Sequence, residues 1–103
     1  MVLEHAVITV TDGRQDAFEA AFKEARAVIE SSPGCRGARL HRGVENPEQF
    51  LLLVQWDRLD DHLVGFRQSE RFTEWRAIVG PFFAQPPEVD HYQPIGQVAA
   101  PPN

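Results

Sequence analysis

The stretch QFLLLVQW at residues 49–56 decides the fold class, because it is the most hydrophobic segment of the chain. It has the length of a strand, and a nearly continuous apolar run is typical of a strand that is covered on both faces. One face would pack against helices of the same chain. Because the chain has only 103 residues, we expect a second copy of the chain to cover the other face.

The segments around this strand predict the rest of a sheet. Residues 36–44, RGARLHRGV, alternate in character, and the turn residues 45–48, ENPE, join them to the central strand. Residues 2–11, VLEHAVITVT, are rich in β-branched side chains. Residues 88–95, EVDHYQPI, follow two prolines that favour an extended chain. The sequence therefore predicts four strands.

Two segments show the apolar spacing of three and four residues that is typical of helices. The first begins after Asp12, with Gln15 three residues later as in a capping box, and ends at residues 31–34, SSPG. The second covers residues 57–79, with a fresh start at Ser69. The apolar positions of the two helices are Phe18, Phe22, Ala25, Ile29, Leu59, Leu63, Phe66, Phe72, Trp75, Ile78 and Val79.

The element order β-α-β-β-α-β predicts an α+β fold of the ferredoxin-like type. Two βαβ units with right-handed crossovers give a four-stranded antiparallel sheet with both helices on one face. We expect one domain at residues 1–96 and a flexible tail at residues 97–103. The bare face of the sheet predicts a homodimer.

Composition narrows the function classes. The net charge is −5, and the ten basic residues are scattered, which argues against nucleic acid and anionic membranes as partners. No run approaches the roughly 18 apolar residues of a membrane span, and the N-terminus lacks the pattern of a signal peptide. We therefore expect a cytoplasmic protein. With Cys35 as the only cysteine, an intramolecular disulfide and a Cys-based zinc site are excluded.

Histidine is the natural base near neutral pH, and two of the four histidines are candidates for catalysis. His62 shares a helical stripe with Phe66, and His91 alternates with Val89 on the last strand. If these sets face each other, both imidazoles approach one cavity. A pair of hydrogen-bonded structural histidines is the alternative. The histidine spacing does not suit a metal site, and no glycine-rich phosphate loop follows a strand, so we expect neither a metal nor a cofactor.

Aromatic side chains are the candidates for substrate binding, because a cavity lined by rings can stack a planar molecule. The alternative is ordinary core packing at helical spacing. The candidates are Trp56, Phe66, Phe72, Trp75, Phe82 and Phe83.

The region from Trp56 to Tyr92 resembles the antibiotic biosynthesis monooxygenase family. The resemblance extends over residues 2–95, and its sharpest parts are a strand ending in Trp56, a Ser69-x-x-Phe72 step and the closing Val89-x-His91-Tyr92. It implies a small dimeric α+β barrel with one pocket in each subunit. It also implies oxidation of an aromatic, phenolic or quinol-like molecule by O2 with no metal, flavin or other prosthetic group.

Some features depart from patterns within that family. The haem-degrading branch expects an Asn on the first strand and a His late in the second helix, where this chain has Ala6 and Trp75. Many members also carry a His near the position of Phe66, whereas His62 lies one turn earlier here. One fold can host many chemistries, so two other hypotheses remain. The chain could be a non-catalytic ligand-binding or stress-related protein, or it could be a lyase or isomerase.

Overall fold

The computed structural model describes residues 1–96, and the flexible tail predicted for residues 97–103 lies outside them. The elements follow the predicted order, with two short helical turns added around the second helix. Their bounds are β1 Val2–Thr9, α1 Gln15–Glu30, β2 Cys35–Arg42, β3 Gln49–Trp56, a π-helical turn Asp61–Phe66, α2 Glu70–Val79, a 3₁₀ turn Gly80–Phe82 and β4 Glu88–Tyr92.

The four strands form one antiparallel sheet in the order β2-β3-β1-β4. This is the ferredoxin-like α+β fold that the sequence predicts, with β3 and β1 at the centre. Glu4 on β1 lies opposite Val54 of β3 on one side and His91 of β4 on the other. The register therefore aligns these three side chains across the helix-facing side of the sheet, because opposite residues share a face.

The core lies between the sheet and the helices. Along β1 and β3 every second side chain is buried, and the apolar stripe of α1 packs onto them. The largest fully buried side chains are Trp56, Phe18, Phe50, Phe66, Ile8, Ile29 and Leu52. Within residues 1–96 neither α1 nor α2 has the length and apolar character of a bilayer-spanning helix.

The other face of the sheet has no cover among residues 1–96. Leu51 and Leu53 of β3 point to this side and are only half-buried, as are Leu3 and Val7 of β1. Within the part of the chain that the structure describes, β3 is therefore fully covered on its helix side alone. The homodimer that would close this face stays a prediction.

The start of α1 differs from the predicted capping box. The helix begins at Gln15 itself, after Arg14 in the N-cap position. The Gln15 side chain turns back instead, because its carbonyl oxygen accepts from the Gly13 N–H and its amide donates to Asp12. The Asp12–Gln15 pair closes the loop before the helix rather than capping it.

The predicted second helix is two elements. Its first part is a π-helical turn in which the Arg67 N–H donates to the His62 carbonyl, five residues earlier. Ser69 precedes α2, as expected, but its hydroxyl donates back to the Phe66 carbonyl instead of capping α2. The first and last strands of the chain are also shorter than predicted, since β1 ends at Thr9 and β4 at Tyr92.

Candidate functional site

Glu4 is a carboxyl group on the buried side of β1. The alternation of the strand directs Glu4, Ala6 and Ile8 toward the helices, so Glu4 is only 4 % exposed. Its Oε1 accepts a hydrogen bond of 3.0 Å from the indole N–H of Trp56. Burial of a carboxyl is costly without such a donor, and His62 is the second polar group close to this one.

His62 reaches Glu4 from the π-helical turn. The imidazole stacks on the Trp56 ring, with centroids 5.2 Å apart and planes 17° apart. This packing brings its Nε2 to 3.3 Å from Glu4 Oε1. His62 is also 4 % exposed, so the contact between the two titratable groups is almost fully removed from water.

His91 completes a row of three polar groups. It lies on β4 directly opposite Glu4, and its Nε2 is 2.8 Å from Nδ1 of His62. An ionised Glu4 favours the His62 tautomer that carries its proton on Nε2, because a carboxylate oxygen cannot donate. In that tautomer the Nδ1 of His62 accepts from the Nε2–H of His91, and the two roles reverse in the other tautomer.

Burial shifts the pKa values of this row in opposite directions. Burial raises the pKa of Glu4 to about 7, because it removes water from around the charged form. The hydrogen bond from Trp56 and the positive charge of Arg67 lower this pKa, but by less than burial raises it. Loss of solvent, with the neighbouring His91 and Arg67, lowers the pKa of His62 to about 4. Burial also lowers the pKa of His91. His62 is therefore neutral at pH 7, and its 3.3 Å contact with Glu4 is a close polar contact rather than an ion pair.

A cavity of about 350 Å³ opens beside Glu4 and His62, between the sheet and the second helical region. Three kinds of side chain surround it. They are the polar or charged Glu4, His62, Arg67 and Arg76, the aromatic Phe66, Phe72 and Trp75, and a rim that includes Pro86, Pro87 and Val89. Aromatic walls with a few converging polar groups are typical of small-molecule sites.

The aromatic wall is a cluster of three rings that hold each other in place. Phe66 meets Phe72 edge-on at 5.5 Å and Trp75 at 6.2 Å, while Phe72 and Trp75 lie nearly parallel, 6.2 Å apart. Trp75 is 7 % exposed, and its indole N–H has no acceptor among the described residues. The wall therefore includes one buried donor whose hydrogen bond is unmade.

The structure places four of the predicted site residues on this cavity: His62, Phe66, Phe72 and Trp75. His91 bonds to His62 but is not part of the cavity lining. The structure therefore brings His62 to the cavity and connects His91 to it through the hydrogen bond between the two rings.

The other three predicted binding residues lie outside the cavity lining. Trp56 is fully buried behind His62, where it holds Glu4. Phe82 packs against Phe18 of α1, 5.8 Å away. Phe83 borders an adjoining cleft that shares Arg76, Pro86 and Pro87 with the cavity. The spacing of these residues in the sequence indicates which side chains pack inward, but it does not indicate which of them line a cavity.

Three residues of the site were not among the sequence candidates. Arg67 and Arg76 resemble the other scattered arginines in the sequence, and nothing in their spacing singles them out. Glu4 does leave a signal, since it is a charged residue at a position of β1 where the alternation predicts an apolar one. Within residues 1–96, no group of three or more His, Cys, Asp or Glu side chains is arranged to hold a metal ion.

Comparison with known proteins gives consistent results. Residues 1–78 match the family model described as antibiotic biosynthesis monooxygenase. The chain is 36 % identical over 95 residues to YczJ, an uncharacterised protein of Bacillus subtilis (strain 168), covering 92 % of this chain and 100 % of that protein.

Solved structures share the fold. A Bordetella bronchiseptica protein whose name places it among the antibiotic biosynthesis monooxygenases is 45 % identical, with a TM-score of 0.88 over 91 % of this chain and 96 % of its own. A variant of SnoaB, a cofactor-independent oxygenase from Streptomyces nogalater, is 16 % identical with a TM-score of 0.79, covering 96 % of this chain and 97 % of its own. At that identity, SnoaB supports the fold alone.

Proposed function

Because the chain belongs to the antibiotic biosynthesis monooxygenase family, we propose that it is a cofactor-independent monooxygenase that oxidises an aromatic phenolic or quinol-like molecule with O2. The observation that carries this proposal is a buried carboxyl group on the wall of an aromatic cavity. Glu4 Oε1 accepts from the indole N–H of Trp56 and contacts His62 Nε2, which leaves Oε2 as the oxygen with no hydrogen-bond partner among residues 1–96.

Glu4 suits the role of general base better than either histidine. A base works best when its pKa is near the working pH, and the pKa of Glu4 is about 7. The pKa of His62 is about 4, and both of its ring nitrogens are already engaged. In this proposal His62 and His91 are positioning residues that orient the carboxylate.

The reaction needs little more than a dry cavity and a base. The phenolic proton moves to Glu4, and the phenolate gives one electron to O2. The aryloxyl radical and superoxide combine at a ring carbon that carries a hydrogen, and protonation gives a hydroperoxide. Loss of that hydrogen with O–O cleavage leaves a carbonyl and releases water. One atom of O2 enters the product, the other becomes water, and all four electrons come from the substrate.

The test uses 1,5-dihydroxynaphthalene, which this reaction would convert to 5-hydroxy-1,4-naphthoquinone. The purified protein should consume one O2 per quinone and transfer one atom from ¹⁸O₂ into the product. Glu4→Gln should remove most of the activity, and Glu24→Gln, the same change on the exposed side of α1, should not. Binding of the naphthol without O2 consumption would instead support a non-catalytic ligand-binding protein.

We further propose that the chain works as a homodimer through the outer face of its sheet. A half-buried apolar set lies in the middle of this face, formed by Leu3, Val7, Leu51 and Leu53. His5 and Tyr92 extend it toward β4, with their rings edge-on at 5.4 Å. Pairing of two such faces should bury more than roughly 1,000 Å².

A further inference from the structure

We propose that the cavity takes a planar aromatic anion, with Arg67 and Arg76 binding a carboxylate attached to the ring. The inference rests on the proposed function for treating this cavity as the substrate site. It adds the chemical class of the substrate, which the proposed oxidation by itself leaves open.

The two arginines lie at the cavity from two elements. Arg67 follows the π-helical turn, and Arg76 is in the last turn of α2. Their guanidinium carbons lie 5.5 Å and 5.9 Å from the centroid of the same ring, Phe72. Two guanidinium groups therefore flank one aromatic wall of the site.

The charge balance of the cavity favours an anion. Glu4 is the only acidic residue in the lining, against two arginines. The ion pairs found among residues 1–96 involve Arg26, Arg36, Arg42 and His62, so none neutralises Arg67 or Arg76. This local excess of positive charge occurs in a chain whose net charge is −5.

The chemistry of the groups selects a carboxylate on a ring. A guanidinium fork matches the two oxygens of a carboxylate, and it does so best next to a low-dielectric wall. Phe66, Phe72 and Trp75 offer the faces and edges for a planar ring.

The two arginines also offset electrostatic repulsion at Glu4. A carboxylate base repels an anionic substrate, and a second negative charge develops on the substrate when its phenol loses a proton. The charge of Arg67 already acts on Glu4, His62 and His91, since it lowers the pKa of each. A cation at this point offsets both negative charges. The cavity volume of about 350 Å³ is near the lower end of the range for ligand sites, roughly 300–1,000 Å³, which suits one or two fused rings.

The test compares two probes that cannot be oxidised in this way, 2-naphthoate and its neutral analogue 2-naphthamide, by calorimetric titration. The parent protein should bind 2-naphthoate at least about tenfold more tightly, because a hydrogen-bonded charge contributes about 1.5–3 kcal/mol. Arg67→Gln and Arg76→Gln should each remove about tenfold of that affinity and leave 2-naphthamide unchanged. Arg71→Gln, on the same helix but outside the cavity, should behave as the parent.

Unchanged binding of 2-naphthamide shows that each variant keeps its cavity. Equal affinity of the parent for the two probes, no binding of 2-naphthoate at millimolar concentration, or a preference that survives in the Arg67→Gln/Arg76→Gln double variant would overturn the inference. These results are independent of turnover. Oxidation of 1,5-dihydroxynaphthalene without a preference for 2-naphthoate would refute only the anion site, and the reverse pattern would refute only the proposed oxidation.

Discussion

Glu4 and His62 are in close polar contact, 3.3 Å between Oε1 and Nε2, and burial moves their pKa values in opposite directions, to about 7 and about 4. In water the histidine would be the stronger base of the two. In this site the order is reversed, because burial disfavours the charged form of each group. The carboxylate therefore becomes the group that exchanges a proton near neutral pH.

The first prediction concerns the pH dependence of the proposed oxidation. The base form of Glu4 is ionised, so kcat/KM for 1,5-dihydroxynaphthalene should rise with pH and level off above about 7. Glu4→Gln should lower the rate by about 10²- to 10⁴-fold and remove the rise of kcat/KM with pH. Initial rates of O2 consumption between pH 5 and 9 measure both. A rise that persists in Glu4→Gln would assign the titration to another group.

The second prediction concerns stability. The pKa of Glu4 is raised from 4.5 to about 7, so its proton stabilises the fold below pH 4.5, and this contribution is lost as pH rises through 7. The pKa of His62 is lowered from 6.5 to about 4, so its contribution is present above 6.5 and lost as pH falls through 4. The two opposing slopes should leave the parent nearly flat between pH 4.5 and 6.5.

Glu4→Gln should remove only the first of these slopes. The free energy of unfolding of this variant should then rise with pH from 4 to 6.5 and exceed that of the parent at pH 8 by about 3 kcal/mol, since one pKa unit is about 1.4 kcal/mol. Urea unfolding at five pH values measures this, with Glu24→Gln as the control. Parallel curves for Glu4→Gln and the parent would contradict a raised pKa at Glu4.

The third prediction tests whether His62 acts through Glu4. His62→Phe keeps a ring stacked on Trp56 but replaces the polar imidazole that contacts Glu4 Oε1 with a phenyl ring. The rising part of the pH–rate profile should move to higher pH, because a less polar neighbour disfavours the charged carboxylate further. In the Glu4→Gln background the same change should have almost no further effect on the rate, since coupled groups are not additive. Additive losses would mean that His62 has a separate role.

The fourth prediction concerns the oligomeric state. Leu53→Glu places a charge in the middle of the apolar set on the outer face of the sheet. It should convert the proposed dimer to a monomer, because an unpaired buried charge is strongly disfavoured at an interface. Val64→Glu, at an exposed position on the helical side, is the control. Sedimentation at micromolar concentration separates the outcomes, and a parent protein that sediments as a monomer would end the dimer proposal.

Local pattern predicted the fold well, since strands and helices follow apolar spacing. The alternation in β1 and the apolar run in β3 predicted the sheet. The apolar stripe of α1 predicted the helix that packs on it. The family resemblance of residues 2–95 is likewise confirmed. The π-helical turn was missed because the choice between a partner four and five residues back depends on packing, here of His62 on Trp56. Spacing alone does not contain that information.

The site was less accessible to sequence analysis. The histidines were singled out by residue type, yet the role of each depends on a neighbour far away in the chain. Glu4 gains its raised pKa only from the register that places Val54 and His91 beside it and from the burial that follows. The two arginines become neighbours only because the chain turns between the π-helical turn and α2.

The fifth prediction concerns how the His62 turn is held against the rest of the fold. Gly34 links α1 to β2 with a φ of +86°, and its carbonyl accepts from the Asp57 N–H at 2.8 Å. A Cβ at Gly34 would overlap the carboxyl group of Asp61, the residue directly before His62. Gly13 has the same φ of +86°, but a Cβ there would meet nothing within 4 Å. The two glycines therefore separate backbone strain from steric overlap.

Gly13→Ala should lower the free energy of unfolding by about 1–2 kcal/mol, which is the usual cost of an L side chain in the left-handed region. Gly34→Ala should cost clearly more, and the excess should fall when Asp61→Ala is combined with it, because the overlapping group is then gone. Because the overlap displaces the turn that carries His62, Gly34→Ala should also slow the proposed oxidation, whereas Gly13→Ala should not. Equal losses of stability in the two alanine variants would mean that the contact between Gly34 and Asp61 adds no constraint beyond the backbone.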